Sequence, residues 1–343
     1  MGADQRRDRV MRLATWNIAW FDALFDDAGA LVRDDGWSKR WDVTRRDQAD
    51  AIAHVLKTMN ADAIMVIEAP DTSSRRNGAA ALRHFADHYG LRQRAALIGF
   101  ANDTRQEIAL LFDPDCGRAV HRPLSSDAAP RFDQSLSVTL NGDDIDAVWS
   151  KPPLELVYTP KDGTPLSLIG VHAKSKAAHG ETAVERARVG VANRRKQLSQ
   201  CLWLRRRVDQ MLRDDPAARL VVLGDFNDGP GLDAFEAAFG QSGVEIVLGT
   251  QGSGMPLYDP HAQLALGGPT AARPATARFK ANDGPYLSAL LDYIMVSPAL
   301  RSAGPAWRIW HPFDDPEVFA DAPLREALLL ASDHFPVTLD LTM

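Results

Sequence analysis

Along this chain, short aliphatic runs repeatedly stop at a polar or ionisable side chain. LATWNIAW (13–20) carries Asn17, AIMVIEAP (63–70) carries Glu68, LSLIGVHAKS (166–175) carries His172, and LVVLGDFND (220–228) ends in Asp225, Asn227 and Asp228. LDYIMVS (291–297) opens with Asp292, and ASDHFPVTLDL (331–341) opens with Asp333 and His334. Runs of this length, bounded by Gly, Pro or Asp, predict buried strands, whose ends a sheet would otherwise fill with Val, Ile or a solvated turn. One such end is an ordinary turn, whereas repetition along the chain points to a shared site. Because strand side chains alternate, Asp225 and Asn227 are expected on one face, with Gly224 letting a ligand reach the backbone.

Helical spacing appears between these strands. Thr44 and Asp47 fit a capping box ahead of Ala49, Ile52, Ala53 and Leu56, and Leu82, Phe85, Ala86 and Tyr89 repeat the pattern. Further strands are expected at about 95–100, 107–112, 135–140 and 154–158. A long helix is expected from about 182 to 213, with Val184, Ala187, Val191, Leu198, Leu202, Val208 and Leu212 as its apolar stripe. Residues 185–213 hold nine Lys or Arg against two Asp or Glu, which reads first as a solvated face and second as a phosphate contact. Arg205 falls on the stripe and needs a carboxylate or a route to water. The segments 249–285 and 311–331 read as long connections that deliver the chain to motif strands.

Composition narrows the class. A 45% hydrophobic and 24% charged chain of 343 residues is that of a globular protein with a sizeable core, and without a repeat or linker residues 1–343 read as a single domain with an acidic insertion at 22–43. No apolar run is long enough to span a membrane, and the charged start MGADQRRDRV lacks a secretory core, so a cytoplasmic location is expected. Cys116 and Cys201 form no CxxC, which argues against a disulfide framework or thiolate metal site. The net charge of -6 excludes a uniformly basic nucleic-acid surface while permitting a local patch.

Glu68, Asp225, Asp292 and Asp333 supply carboxylates, Asn17 and Asn227 amides, and His172 and His334 imidazoles. An oxygen-rich set suits a hard divalent ion, Mg²⁺ or Mn²⁺, rather than zinc. A cation, two imidazoles and an acid beside a water are what in-line attack on phosphorus needs. Neither a G-x-S-x-G elbow nor a GxxxxGK[ST] loop is present. Lys174 and Lys176 alternate with His172 as a cationic rim, and Asp292 is suited to orient His334 and stabilise its protonated form.

In order and spacing, TWNIAW, MVIEAP, RQEIALLF, GVHAKSK, LGDFND, LDYIMVS and SDHFPV resemble the endonuclease/exonuclease/phosphatase superfamily, built like deoxyribonuclease I, over about residues 13–338. The resemblance implies an α/β fold, a four-layer α/β/β/α sandwich with two mixed β-sheets packed face to face and the site at one end. It also implies Glu68 as principal metal ligand, with Asn17 and Asp333 coordinating directly or through water. Asp225 would orient or deprotonate the attacking water, and Asn227 would hold a phosphate oxygen. His172 would contact the phosphoryl group or serve the leaving oxygen, and His334, backed by Asp292, would stabilise transition-state charge. A partner for His172 is expected in RQEIALLF, either Glu107 or Gln106. Trp37 or Trp41 of the insertion would wall or lid the site. The expected activity is a Mg²⁺- or Mn²⁺-dependent phosphodiesterase, a nuclease acting on DNA or RNA. The alternative is a small-molecule or lipid phosphoesterase, phosphatase or sphingomyelinase-like, since one fold serves many substrates.

Overall fold

A computed structural model of the chain describes residues 10–342 except 41, 162, 178–179, 231–238, 251, 253, 268–272 and 281–283. Two mixed sheets form its centre. The first runs in the order β14 (Ala306–Ile309), β15 (Val337–Thr342), β1 (Val10–Asn17), β2 (Ala63–Pro70), β4 (Gln106–Phe112) and β3 (Ala95–Ile98), with β1 and β2 parallel and the other pairs antiparallel. The second runs β13 (Asp292–Val296), β10 (Leu220–Asp225), β9 (Leu166–His172), β8 (Leu154–Pro160) and β5 (Gly117–His121), with β9 and β10 parallel. Hairpins β6 (Ser135–Leu140) with β7 (Asp143–Val148), and β11 (Ala277–Lys280) with β12 (Tyr286–Ala289), lie outside them.

Alternation along the strands builds the layers. Leu13, Met65, Ile108 and Leu110 of the first sheet meet Leu168, Val221, Leu223 and Ile294 of the second in a core between the sheets. The opposite face of the first sheet, with Ala14, Val66 and Leu111, packs on α1 (Arg45–Met59), α2 (Gly78–Tyr89) and the helix Ala322–Ala331. The outer face of the second, with Ile169, Val222 and Met295, packs on α3 (Ala183–Asp214) and the helix Gly243–Leu248. The expected four-layer, deoxyribonuclease I-like sandwich is the fold adopted. Among the described residues, no helix is long and apolar enough to cross a membrane.

Where the chain departs from its pattern, local chemistry explains why. Residues 311–331, expected as a connection, contain helices Pro316–Ala320 and Ala322–Ala331, capped by Asp315 and Asp321. Pro316 and Pro323 sit in their first turns, where the missing N–H has no intrahelical partner to lose, so prolines that look like breakers are starters. The stripe of α3 is also corrected at its start. Leu198, Val208 and Leu212 are buried, yet Val184 is 80% exposed and Val191 is exposed too. Gly224 (φ +139) serves the neighbouring strand rather than a ligand, because a Cβ there would stand 2.0 Å from the Val171 carbonyl oxygen. Thr44 caps α1 by accepting from the Asp47 N–H at 3.1 Å, and its own hydroxyl donates to the Asp47 carboxylate at 2.7 Å.

Candidate active site

Asn17, His172 and Asp225 close the C-terminal ends of β1, β9 and β10, while Asp292 opens the antiparallel β13 and His334 lies just before β15. Parallel neighbours end together and antiparallel neighbours begin where they end, so the topology gathers these residues at one end of the sandwich. Alternation then aims them inward. Asn17 follows Met11 and Leu13 on the face between the sheets, His172 follows Leu166 and Leu168, Asp225 follows Val221 and Leu223, and Asp292 precedes Ile294.

Glu68 breaks this alternation. Its sheet register places it with Ile64 and Val66, on the helix side, but a bulge between Ile67 and Ala69 and a left-handed backbone (φ 65) turn it. A non-glycine residue in that conformation costs about 1–3 kcal/mol, so the surrounding structure must hold it there. Glu68 Oε2 accepts from the Trp20 N–H at 2.9 Å and from Gln106 Nε2 at 2.7 Å. Burial raises its pKa, opposed by the Trp20 N–H, Lys151 and His334.

Asp225 sits at the middle. Asn17 Nδ2 donates to Oδ2 at 2.9 Å, the Asn227 N–H to Oδ1 at 2.7 Å, and Asn227 Nδ2 to Oδ2 at 3.1 Å. Asn227 Nδ2 also donates to the Ala173 carbonyl at 3.1 Å, so both amide protons are engaged and the residue orients Asp225 instead of offering a free donor. Burial pushes Asp225 up to about 7; the His334 charge works against this and Asp292 adds to it. His334 Nδ1 lies 2.7 Å from Asp292 Oδ2. Burial alone would strip the imidazole of its proton, but Asp292 and Asp225 outweigh it and hold the pKa up to about 10. Asp225, Asp292 and His334 bring donor atoms within 4.8 Å of one another. With Nδ1 engaged by Asp292, this trio is an ion pair backed by a second carboxylate.

Within this cluster two buried oxygens, Asn17 Oδ1 and Asp292 Oδ1, have no hydrogen-bond partner among the described residues. The Asn17 amide must turn its nitrogen to the Asp225 carboxylate, which leaves Oδ1 as a bare acceptor, and across β1 and β2 Asn17 is paired with Ile67, the residue before Glu68. An orphaned carbonyl beside a carboxylate is the donor chemistry a hard divalent ion takes. Asp333, next to His334, adds its negative charge to those that hold the imidazolium, and has Arg40 Nη1 3.8 Å away.

His172 Nε2 is 3.8 Å from Asp225 Oδ2, and Lys151 Nζ is 3.2 Å from Nδ1. Burial, Lys151, His334 and Lys174 drive its proton affinity well below the ordinary imidazole range. The partner expected from RQEIALLF is corrected. Glu107 shares the helix-side face with Ala109 and accepts from Asn102 Nδ2 at 2.7 Å, while burial pushes it up to about 8. Gln106 faces the site but reaches Glu68 and Lys151. Lys151, in SKPP ahead of β8, carried no strand-end signal and went unnoticed in the sequence. Lys176 is corrected as well, because it turns from the rim to pair with the buried Asp228 at 2.7 Å.

The insertion packs more than it covers. Leu24 and Phe25 are buried, with the Phe25 and Phe85 rings 6.4 Å apart. Trp37 is 67% exposed and Trp41 lies outside the described residues. Arg40 ties the segment to the Leu329 carbonyl at 2.8 Å and to Asp333. A cavity of about 420 Å³ lined by Asp22, Lys39, Arg76 and Arg105 adjoins the site, Asp22 lying 3.5 Å from Gln106 Nε2.

The chain belongs to the Endonuclease/Exonuclease/phosphatase family, whose model matches residues 14–334. It is therefore a phosphoric ester hydrolase, of a family whose enzymes generally depend on a divalent metal. Similar solved structures include TDP2 from D. rerio complexed with single strand DNA product, at 14% identity, 98% coverage of this chain and 100% of that one, and a TM-score of 0.51. A truncated TDP2 from Caenorhabditis elegans is 13% identical, with 97% and 98% coverage and a TM-score of 0.51. At these identities the likeness is one of fold. No curated protein matches the chain.

Proposed function

We propose that this chain is a divalent-metal-dependent phosphodiesterase acting on DNA or RNA, working as a single domain. The observation that carries the reading is the surplus of negative charge, with Asp225 and Asp292 buried and Glu68 half-buried, beside the unpartnered Asn17 Oδ1. Mg²⁺ or Mn²⁺ held by Glu68 and Asn17, with Asp333 reaching it directly or through water, would neutralise charge on the phosphoryl group. Asp225, held by two amides and raised to about 7, takes the proton of the attacking water near neutral pH. The charged His334, fixed by Asp292, stabilises the negative charge that builds on the phosphoryl oxygens, and His172 contacts the same group from the other sheet strand.

Nucleic acid as substrate is supported by the D. rerio relative bound to single strand DNA product and by Lys39, Arg105 and Lys174 around the site. Three of the nine basic residues of α3 lend no support. Arg194, Arg205 and Arg207 are buried in contacts with Asp228, Asp209 and Glu155. The cavity beside Gln106 instead favours a second reading, a compact small phosphoester. Plasmid nicking with Mg²⁺ and with EDTA, repeated for His172→Ala and Asp225→Ala, tests the first; cleavage untouched in both variants would reject the site. A salt series separates the two readings, since a polyanion loses affinity steeply as counterions compete and a small ester does not.

A further inference from the structure

Lys151 is where the site departs most from its expected pattern. It precedes Pro152 and Pro153, which hold the approach to β8 extended, and Lys196 Nζ anchors the neighbouring Ser150 Oγ at 3.0 Å. Its ammonium donates to Gln106 Oε1 at 2.7 Å and lies 3.2 Å from His172 Nδ1. An ammonium has donors only, so Nδ1 must be the acceptor and the ring proton sits on Nε2, the nitrogen turned toward Asp225. Gln106 passes the constraint on, because its other amide end donates to Glu68 Oε2.

We infer that Lys151 is a positioning residue that locks His172 as the neutral Nε2–H tautomer, so that His172 hydrogen-bonds the phosphoryl group and does not supply the leaving oxygen's proton. The role in turnover rests on the phosphodiesterase reading above, whereas the tautomer does not. In the hydrolysis the water oxygen bonds phosphorus as the P–O bond to the leaving group breaks. The water proton goes to Asp225, and the leaving oxygen keeps the electron pair and is reprotonated from solvent. The groups facing His172 are Lys151, Lys174 and the His334 imidazolium on one side of the balance and Asp225 on the other. Removing Lys151 therefore makes a second ring proton easier to bind.

Long-range ¹⁵N–¹H correlation spectra of the full chain, labelled at histidine, read the ring directly. Wild type is expected to show His172 as Nε2–H throughout the neutral range, and Lys151→Met to raise its titration midpoint by about one pH unit or more, a tenfold gain in proton affinity. Lys151→Gln is the second variant should the methionine form fail to fold. In parallel, hydrolysis of a nitrophenyl nucleotide diester and of an unactivated dinucleotide is compared for wild type and His172→Gln, with the same fractional slowing expected for both. A wild-type Nδ1–H or imidazolium signal, an unshifted midpoint in the Lys151 variants, or a loss about tenfold larger for the unactivated ester overturns the inference. Hydrolysis of neither ester by wild type instead removes the phosphodiesterase reading, and the spectra still decide the tautomer.

Discussion

Asp225 and Asp228 stand three residues apart in one motif, both essentially inaccessible to water, and meet opposite surroundings. Asp228 is matched by cations, with Arg194 and Lys176 each 2.7 Å from Oδ1 and the N–H groups of Gly229 and Gly243 donating at 2.9 and 2.6 Å. Asp225 is held by neutral amides and shares one imidazolium with Asp292. The first arrangement more than offsets the carboxylate's charge and joins α3 to the loop after β10. The second leaves negative charge in excess, which is costly unless a cation or a proton arrives. A displaced pKa alone does not separate the two kinds of cluster. Glu155 is also pushed up to about 7 by burial, although Arg207 lies 3.2 Å away and serves packing. Charge balance is the better guide to use.

The comparison breaks or holds on paired substitutions. Asp225→Asn removes the carboxylate proposed to activate water at nearly constant volume, although its amide nitrogen replaces one of two accepting oxygens, so turnover should fall by about 10³-fold. Its denaturation midpoint should stay level or rise, because a buried surplus charge is gone. Asp228→Asn should do the reverse, removing the buried carboxylate that Arg194 and Lys176 share. A loss of about 3–5 kcal/mol in denaturant unfolding is expected, with kcat per folded molecule kept. A stable but inactive Asp228→Asn would show that the two clusters are one.

A smaller effect sharpens the assignment of the surplus. Divalent ion at about one hundred times its Kd should stabilise the native chain by about 2.7 kcal/mol, read as a thermal shift. Glu68→Gln should abolish most of that shift and Asp228→Asn should not, since only the first removes a negative group from the unbalanced cluster. EDTA should extinguish turnover in the native chain.

The same contrast explains what was legible in the sequence. Asn17, His172, Asp225, Asp292 and His334 announce themselves because polar groups interrupt apolar runs, and topology then needs only to align strand ends. Glu68 was visible as a residue, but its direction was not, since the bulge reverses the alternation that pattern reading relies on. The choice between Gln106 and Glu107 was open for a related reason. QEIALLF is apolar on both faces of β4, so nothing in it says which parity meets the second sheet. Lys151 gave no signal because it lies in a loop, and a lone lysine before two prolines looks solvated until β8 and β9 bring it to His172. The basic run on α3 was legible only in part: Arg186, Arg188, Arg206 and Arg213 are exposed, as a solvated face expects, whereas Arg194, Arg205 and Arg207 are buried. Composition counts charges, and cannot tell that Arg207 is spent on the carbonyls of Leu124, Ala129 and Pro130.

The weakest expected effect lies in how stability follows pH in ion-free protein. Asp225 titrates at about 7 when folded against an ordinary 3.8, so between these values the folded chain binds the extra proton. Its contribution is complete at acid pH and disappears as pH rises through 7. His334 behaves with the same sign in a higher window, its paired imidazolium contributing fully below 6.5 and vanishing as pH rises through about 10. Each proton tilts stability by at most about 1.4 kcal/mol per pH unit within its window. Denaturant midpoints measured across both windows should therefore decline with pH. Asp225→Asn should flatten the lower window and His334→Gln the upper one. A profile that instead climbs from pH 4 to 7 would mean that a basic group neutralises Asp225 in the folded chain, and the contrast with Asp228 would disappear.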